Sequence, residues 1–217
     1  MTPPPLSLEG VAHRFGRRWV LRGVDLQVAP GEVVVLAGSN GAGKTTLLRI
    51  VATLLRPMRG EGWVAGHSLV EGSHEVRRKI GLLGHSAALY EDLTAVENLA
   101  FTLRMRDEPA DRARILSLLE TVGLAGHADA RVRRFSAGMR RRVGVARVLA
   151  ARPDLLLMDE PYASLDREGV AVVNDLVRGT VSRGGGVLFV THDLRSGAEL
   201  TDRVLTLDGG RLQEGML

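Results

Sequence analysis

Short runs in which every position is apolar stand out along this chain: Val33 to Ala37, Leu155 to Met158 and Val187 to Val190. Four or five residues are too few for a helix, and an unbroken apolar run fits a strand buried on both faces of a sheet. Val24 to Val28 alternates apolar and polar instead, and Pro30-Gly31 after it marks a turn. Trp63 to Ala65, Ile80 to Leu83 and Val204 to Leu207 are predicted as further strands, the last leading into a tight turn at Asp208-Gly209-Gly210.

Helical spacing occupies the stretches between. Thr45 to Leu55 is unbroken until Arg56-Pro57 stops it. Ile115, Leu118, Leu119 and Val122 fall at i, i+3, i+4 and i+7 within a helix predicted over 110–122, with Gly123 where such a helix stops. Ser136 is placed to cap a helix carrying Met139, Val143, Ala146 and Leu149 on one face and ending at Arg152-Pro153. A last helix is predicted from about Glu168 to Ser182, before Gly184-Gly185-Gly186. Strands alternating with helices give an α/β fold with a mostly parallel sheet, interrupted by a helical insertion.

Composition narrows the class. A chain of 217 residues with 45% apolar and 25% charged content is long enough to bury one large core, and it holds no cysteine. Disulfide frameworks, thiolate metal sites and cysteine nucleophiles are therefore excluded. The start, Met1-Thr2-Pro3-Pro4-Pro5, does not read as a secretory signal, and no apolar stretch approaches a membrane span. The 29 basic residues comprise 27 Arg and only two Lys, Lys44 and Lys79. Between Arg131 and Pro153 eight Arg occur without one Asp or Glu, which keeps nucleic acid in view as a partner.

The chemistry lies where a predicted strand meets a helix. Gly38-Ser39-Asn40-Gly41-Ala42-Gly43-Lys44-Thr45 fits the phosphate-binding pattern G-x-x-x-x-G-K-[ST] between the apolar run 33–37 and the helix that follows. Glycines let the backbone wrap a phosphate so that amides and the helix N-terminus point at it, Lys44 adds a compact charge, and Thr45 offers a hydroxyl to Mg²⁺. Thr46 completes the binding segment. A metal-orienting carboxylate on a neighbouring strand is the natural counterpart, and Leu155 to Met158 leads into Asp159. Glu160 points elsewhere and suits a general base for an attacking water.

Phe135-Ser136-Ala137-Gly138-Met139, Leu156 to Pro161, Ser164-Leu165-Asp166 and Thr191-His192-Asp193 together resemble the ATP-binding subunit of ABC transporters over nearly the whole chain. The resemblance implies a P-loop core with an N-terminal antiparallel β subdomain, at about 1–84 and 153–217, and an inserted helical subdomain at about 85–152. It implies ATP and Mg²⁺ as ligands, and a homodimer or heterodimer that sandwiches two ATP molecules. Ser136 and Gly138 would touch the partner's γ-phosphate, Asp166 would lie in the inter-subunit loop, and His192 would contact the γ-phosphate. Phe15 matches the aromatic that stacks on adenine, with core packing as the alternative. Integral membrane subunits would be the partners, placing the chain on the cytoplasmic face of the cell membrane.

Two features depart from the family pattern. The signature Leu-Ser-Gly-Gly-Gln is here Phe-Ser-Ala-Gly-Met, and His85 stands where members carry a Gln that orders Mg²⁺ and water. An imidazole there predicts hydrolysis that falls more steeply below about pH 6.5. Gly84-His85, Leu93 to Leu99 and Ser136 to Gly138 resemble the haem-exporter type of cytochrome c maturation. The rival readings are another ABC importer or exporter ATPase, a soluble ABC-type ATPase acting on nucleic acid, and a small P-loop kinase.

Overall fold

In the computed structural model the described residues are 2–84, 88–162, 165–192 and 197–215. The chain begins with β1 (Leu6–Phe15), β2 (Arg18–Val28), β3 (Val33–Ala37), α1 (Lys44–Val51), β4 (Arg59–Val64), β5 (His67–Ser68), α2 (Ser73–Lys79) and β6 (Ile80–Leu83). A helical stretch follows, α3 (Ala95–Arg104), α4 (Arg112–Thr121) and α5 (Ala137–Ala151). The chain then returns to β7 (Leu155–Asp159), α6 (Arg167–Ser182), β8 (Gly186–Val190), β9 (Arg203–Asp208) and β10 (Arg211–Glu214).

Two sheets result. β2, β1, β4 and β5 form an antiparallel sheet, and the apolar runs form the centre of a six-stranded sheet in the order β10-β9-β3-β8-β7-β6. Every pairing in the second sheet is parallel except that of β10 with β9. The unbroken apolar runs have a direct cause: alternate residues enter different cores. Val33, Val35, Leu156, Met158, Val187 and Phe189 face the core shared with α3 to α6. Val34, Leu36, Leu155, Leu157, Leu188 and Val190 face the one shared with α1 and the antiparallel sheet. Both faces are covered along 33–36, 155–158 and 187–190, which is why these runs are apolar throughout.

The helical stretch is tied down by an arginine on the link from α3 to α4. Arg106 donates to the main-chain oxygens of Arg77, Arg78 and Ala151, joining that link to the ends of α2 and α5. Among the described residues no helix is long and apolar enough to cross a membrane.

Two sequence expectations are corrected. The helix predicted over 45–55 ends at Val51, because Thr53 turns into the left-handed region at φ 58° and Arg77 Nε binds its hydroxyl at 2.9 Å. Asp159 was expected on a strand next to the one that feeds the P-loop, yet β8 lies between β3 and β7. The intervening strand brings Thr191 and His192 to the same sheet edge as Lys44 and Asp159.

Candidate active site

The loop from Gly38 to Gly43 connects the end of β3 to α1, outside the carboxyl ends of the parallel strands, where α/β sheets bind ligands. Its glycines are structural requirements. At Gly38, with φ 143°, a Cβ would come within 2.5 Å of the Leu207 carbonyl oxygen on β9; at Gly43, with φ 111°, it would meet Val20 Cγ1 at 2.9 Å. Helix α1 has neither a capping side chain nor an acidic residue in its first turn, so its N-terminal amides and dipole face the loop uncompensated. Buried Lys44 donates from Nζ to the oxygens of Gly38 at 2.6 Å and Ser39 at 3.0 Å, which curls the loop around its ammonium.

A cleft of about 1080 Å³ opens over this loop, with Phe15 at its rim and Thr45, Thr46, Asp159 and Glu160 in its lining. Phe15 is 52% exposed and meets His13 edge-on at 4.9 Å, so it is presented to the cleft instead of being packed in the core. Thr45 Oγ1 and Asp159 Oδ2 lie 3.4 Å apart. One hydroxyl and one carboxylate, hard oxygen donors on a cleft lined with phosphate-binding amides, fit Mg²⁺, which is held by few protein ligands and completes its shell with water and phosphate.

Glu160 is the most constrained residue of the site. It follows β7 in the left-handed region at φ 49°, and its amide donates to the Val190 carbonyl at 2.9 Å. The carboxylate accepts from the His192 amide at 3.1 Å, contacts His192 Nδ1 at 2.8 Å and accepts from the Thr191 hydroxyl at 3.3 Å. The sequence suggested separate roles for Glu160 and His192; the fold brings them into direct contact, with Thr191 as a third member that sequence reading missed.

Ser136 and Gly138 do not line this cleft. Ser136 caps α5, accepting from the Met139 amide at 3.1 Å, and is exposed. Asp166 caps α6 through the Gly169 amide at 2.8 Å and also accepts from Arg142 Nη2 at 2.8 Å through both oxygens. These contacts hold the Asp166 carboxyl below its usual range. His85 lies outside the described residues. The Arg-rich stretch is not a plain solvated face: Arg141 is buried against main-chain carbonyls, Arg142 is engaged with Asp166 and Glu168, Arg133 pairs with Asp92, and Arg147 donates to the Ala88 carbonyl.

Strand, glycine loop and helix, with two carboxylates at the edge of the same parallel sheet, define a P-loop nucleoside triphosphatase. More narrowly, a family model described as ABC transporter matches residues 21–163, and the chain belongs to that family. It is an ABC-type ATPase. The daunorubicin resistance ATP-binding protein DrrA3 of Streptomyces coeruleorubidus is 42% identical over 98% of this chain and 68% of its own length. The cytochrome c biogenesis ATP-binding export protein CcmA of Xanthomonas campestris pv. campestris (strain 8004) is 39% identical over 95% of each. A solved dimeric ATP-binding cassette, MJ0796, in a post-hydrolysis state with ADP and phosphate superposes with a TM-score of 0.85 at 28% identity. That match covers 97% of this chain and all of the other.

Proposed function

We propose that this chain is the ATP-hydrolysing subunit of a transporter and drives separate membrane-spanning subunits by closing as a dimer over two ATP molecules. The observation that carries this reading is the separation of Ser136 and Gly138 from the chain's own P-loop cleft. A helix N-terminus with an exposed capping serine can receive a phosphate, and here it lies outside the cleft that holds the P-loop of its own subunit. A second copy would use it. The solved dimeric relative supports the arrangement.

Within each site the loop amides and Lys44 would hold the phosphates, and Phe15 would stack on the base. Thr45 and Asp159 would hold Mg²⁺, which when bound neutralises charge developing on the phosphate oxygens. Glu160 would take the proton of the attacking water, held in place by Thr191 and by His192, which would also contact the γ-phosphate. Asp166 would sit at the subunit boundary.

The insertion at about 85–152 would dock on the membrane subunits. It exposes Met105 and an edge-to-face pair, Tyr90 with Phe101 at 4.9 Å, an apolar surface of the kind that marks a protein contact. Nucleic acid is disfavoured, because three of the eight clustered arginines, Arg141, Arg142 and Arg147, are buried or half-buried and engaged with carboxylates or carbonyls, and Arg133 is paired with Asp92 at the surface. For the cargo, we infer haem export of the cytochrome c maturation type, supported by the CcmA relative. The drug-resistance relative is the competing exporter. A detergent-solubilised complex with its co-purifying membrane subunits should show a haem Soret band; binding of daunorubicin without haem would reverse the assignment.

Glu160→Gln should bind ATP without hydrolysing it and accumulate as a dimer at saturating Mg-ATP. Size-exclusion chromatography reads the outcome, and a protein that remains monomeric would refute the sandwich.

A further inference from the structure

Helix α5 carries three consecutive arginines, and the middle one is folded inward. Arg141 is 6% exposed. Its Nη1 donates to the Gly84 carbonyl just past β6, and its Nη2 to the carbonyls of Glu160 at 3.1 Å and Asp159 at 3.4 Å. Its Nε is buried with no hydrogen-bond partner among the described residues. Burial draws the guanidinium pKa down, and the Asp159 charge opposes that shift.

A buried cation satisfied by carbonyls is a costly way to fill space, since an apolar side chain of similar length would avoid the desolvation. Its position shows what it accomplishes. Two of its three acceptors are the backbone of Asp159 and Glu160, and Glu160 is held at φ 49°, a conformation that non-glycine residues keep only when their surroundings impose it. The hook is on the main chain, so it sets where the Glu160 carboxylate starts without occupying its oxygens, which remain with Thr191 and His192.

Arg141 is also close to the capped end of its helix. Ser136 caps α5 five positions earlier, about 7.5 Å along a continuous helix. We propose that Arg141 is a positioning residue that makes the orientation of Glu160 depend on α5, so that ATP on the partner's P-loop, engaging Ser136, is sensed at the catalytic carboxylate of the same chain. This rests on the sandwich reading above and assigns it a route by which one ATP governs hydrolysis of the other.

The test uses Arg141→Gln and Arg141→Lys in the full chain. Arg141→Gln should lower kcat by about tenfold or more, since small displacements of a catalytic group are expensive. KM and the affinity of the monomer for a fluorescent ADP analogue should stay within about twofold, and the Hill coefficient for ATP should fall toward one. Arg141→Lys, which can still reach one carbonyl, should recover part of kcat. Combined with Glu160→Gln, Arg141→Gln should still dimerise on Mg-ATP, because the hook acts after closure. Two results overturn the inference: kcat and Hill coefficient within about twofold of wild type, or a parallel loss of kcat, nucleotide affinity and thermal midpoint, the mark of a structural role alone. If Glu160→Gln alone fails to dimerise, the sandwich falls and this inference falls with it.

Discussion

Lys44 is one of two lysines in a chain with 27 arginines, and the geometry at its head group accounts for the exception. Its Nζ sits 2.6 and 3.0 Å from two consecutive carbonyls of a loop that wraps it closely. A compact ammonium can turn its donors from carbonyls to phosphate, whereas a planar guanidinium is too large and its donors are fixed in a fork. Lys44→Arg should therefore lose ATP hydrolysis nearly as fully as Lys44→Ala, each on the order of 10²-fold in phosphate release; an arginine variant near wild type would show that charge alone suffices. Lys79 pairs with Asp154 at 3.0 Å on the surface, a contact with no such restriction. The P-loop, Asp159 and Glu160 were legible because their chemistry is local in sequence. Arg141 was not: three arginines in a row on a helix read as a solvated face, and the carbonyls that receive the middle one come from residues 84, 159 and 160.

Among the elements, the buried strands were the most readable, because two covered faces leave a run that only a strand of that length explains. The helices with good caps were readable for a similar reason, as with Ser136 before α5. The short helices α2 and α3 escaped the hydrophobic pattern, yet α3 has a clear local start. Thr94 Oγ1 accepts from the Glu97 amide at 3.1 Å while the Glu97 carboxylate accepts from the Thr94 amide at 2.7 Å, a reciprocal cap. Asn98 adds bonds to both main-chain groups of Tyr90, which fixes the entry to the helix. The segment used to liken this chain to haem exporters is thus held by helix-capping chemistry. Thr94→Ala should lower the thermal midpoint by about 2–4 °C, the effect of one lost cap in a domain of this size. The same cap carries a pH signature. The Thr94 amide and hydroxyl hold the Glu97 carboxyl below its ordinary 4.5, so its contribution is present above that pH and is lost as pH falls through the lowered value. The difference in thermal midpoint between wild type and Glu97→Gln should accordingly shrink between pH 7 and pH 3; a constant difference would show that the charge plays no part.

At the scale of the whole molecule, the proposed dimer requires one chain to carry both halves of a phosphate site on different surfaces. Asn40 is exposed on the P-loop and Ala137 is exposed at the start of α5, and only Asn40 lines the nucleotide cleft. Two copies related by a two-fold axis would bring Asn40 of each against Ala137 of the other, giving two identical junctions per dimer. The absence of cysteine makes this directly testable, since introduced thiols would be the only ones present. Asn40→Cys and Ala137→Cys combined in one chain with Glu160→Gln should cross-link between subunits with a short bis-maleimide when Mg-ATP is present. Either cysteine alone should not give the doubly linked product. Adding Lys44→Ala should abolish the reaction, because the phosphate that bridges the two surfaces would no longer be held. A cross-linked dimer that forms equally well without nucleotide, or one that persists with Lys44→Ala, would mean that the two surfaces meet for a reason other than ATP. The closure that is proposed to drive transport would then need a different origin.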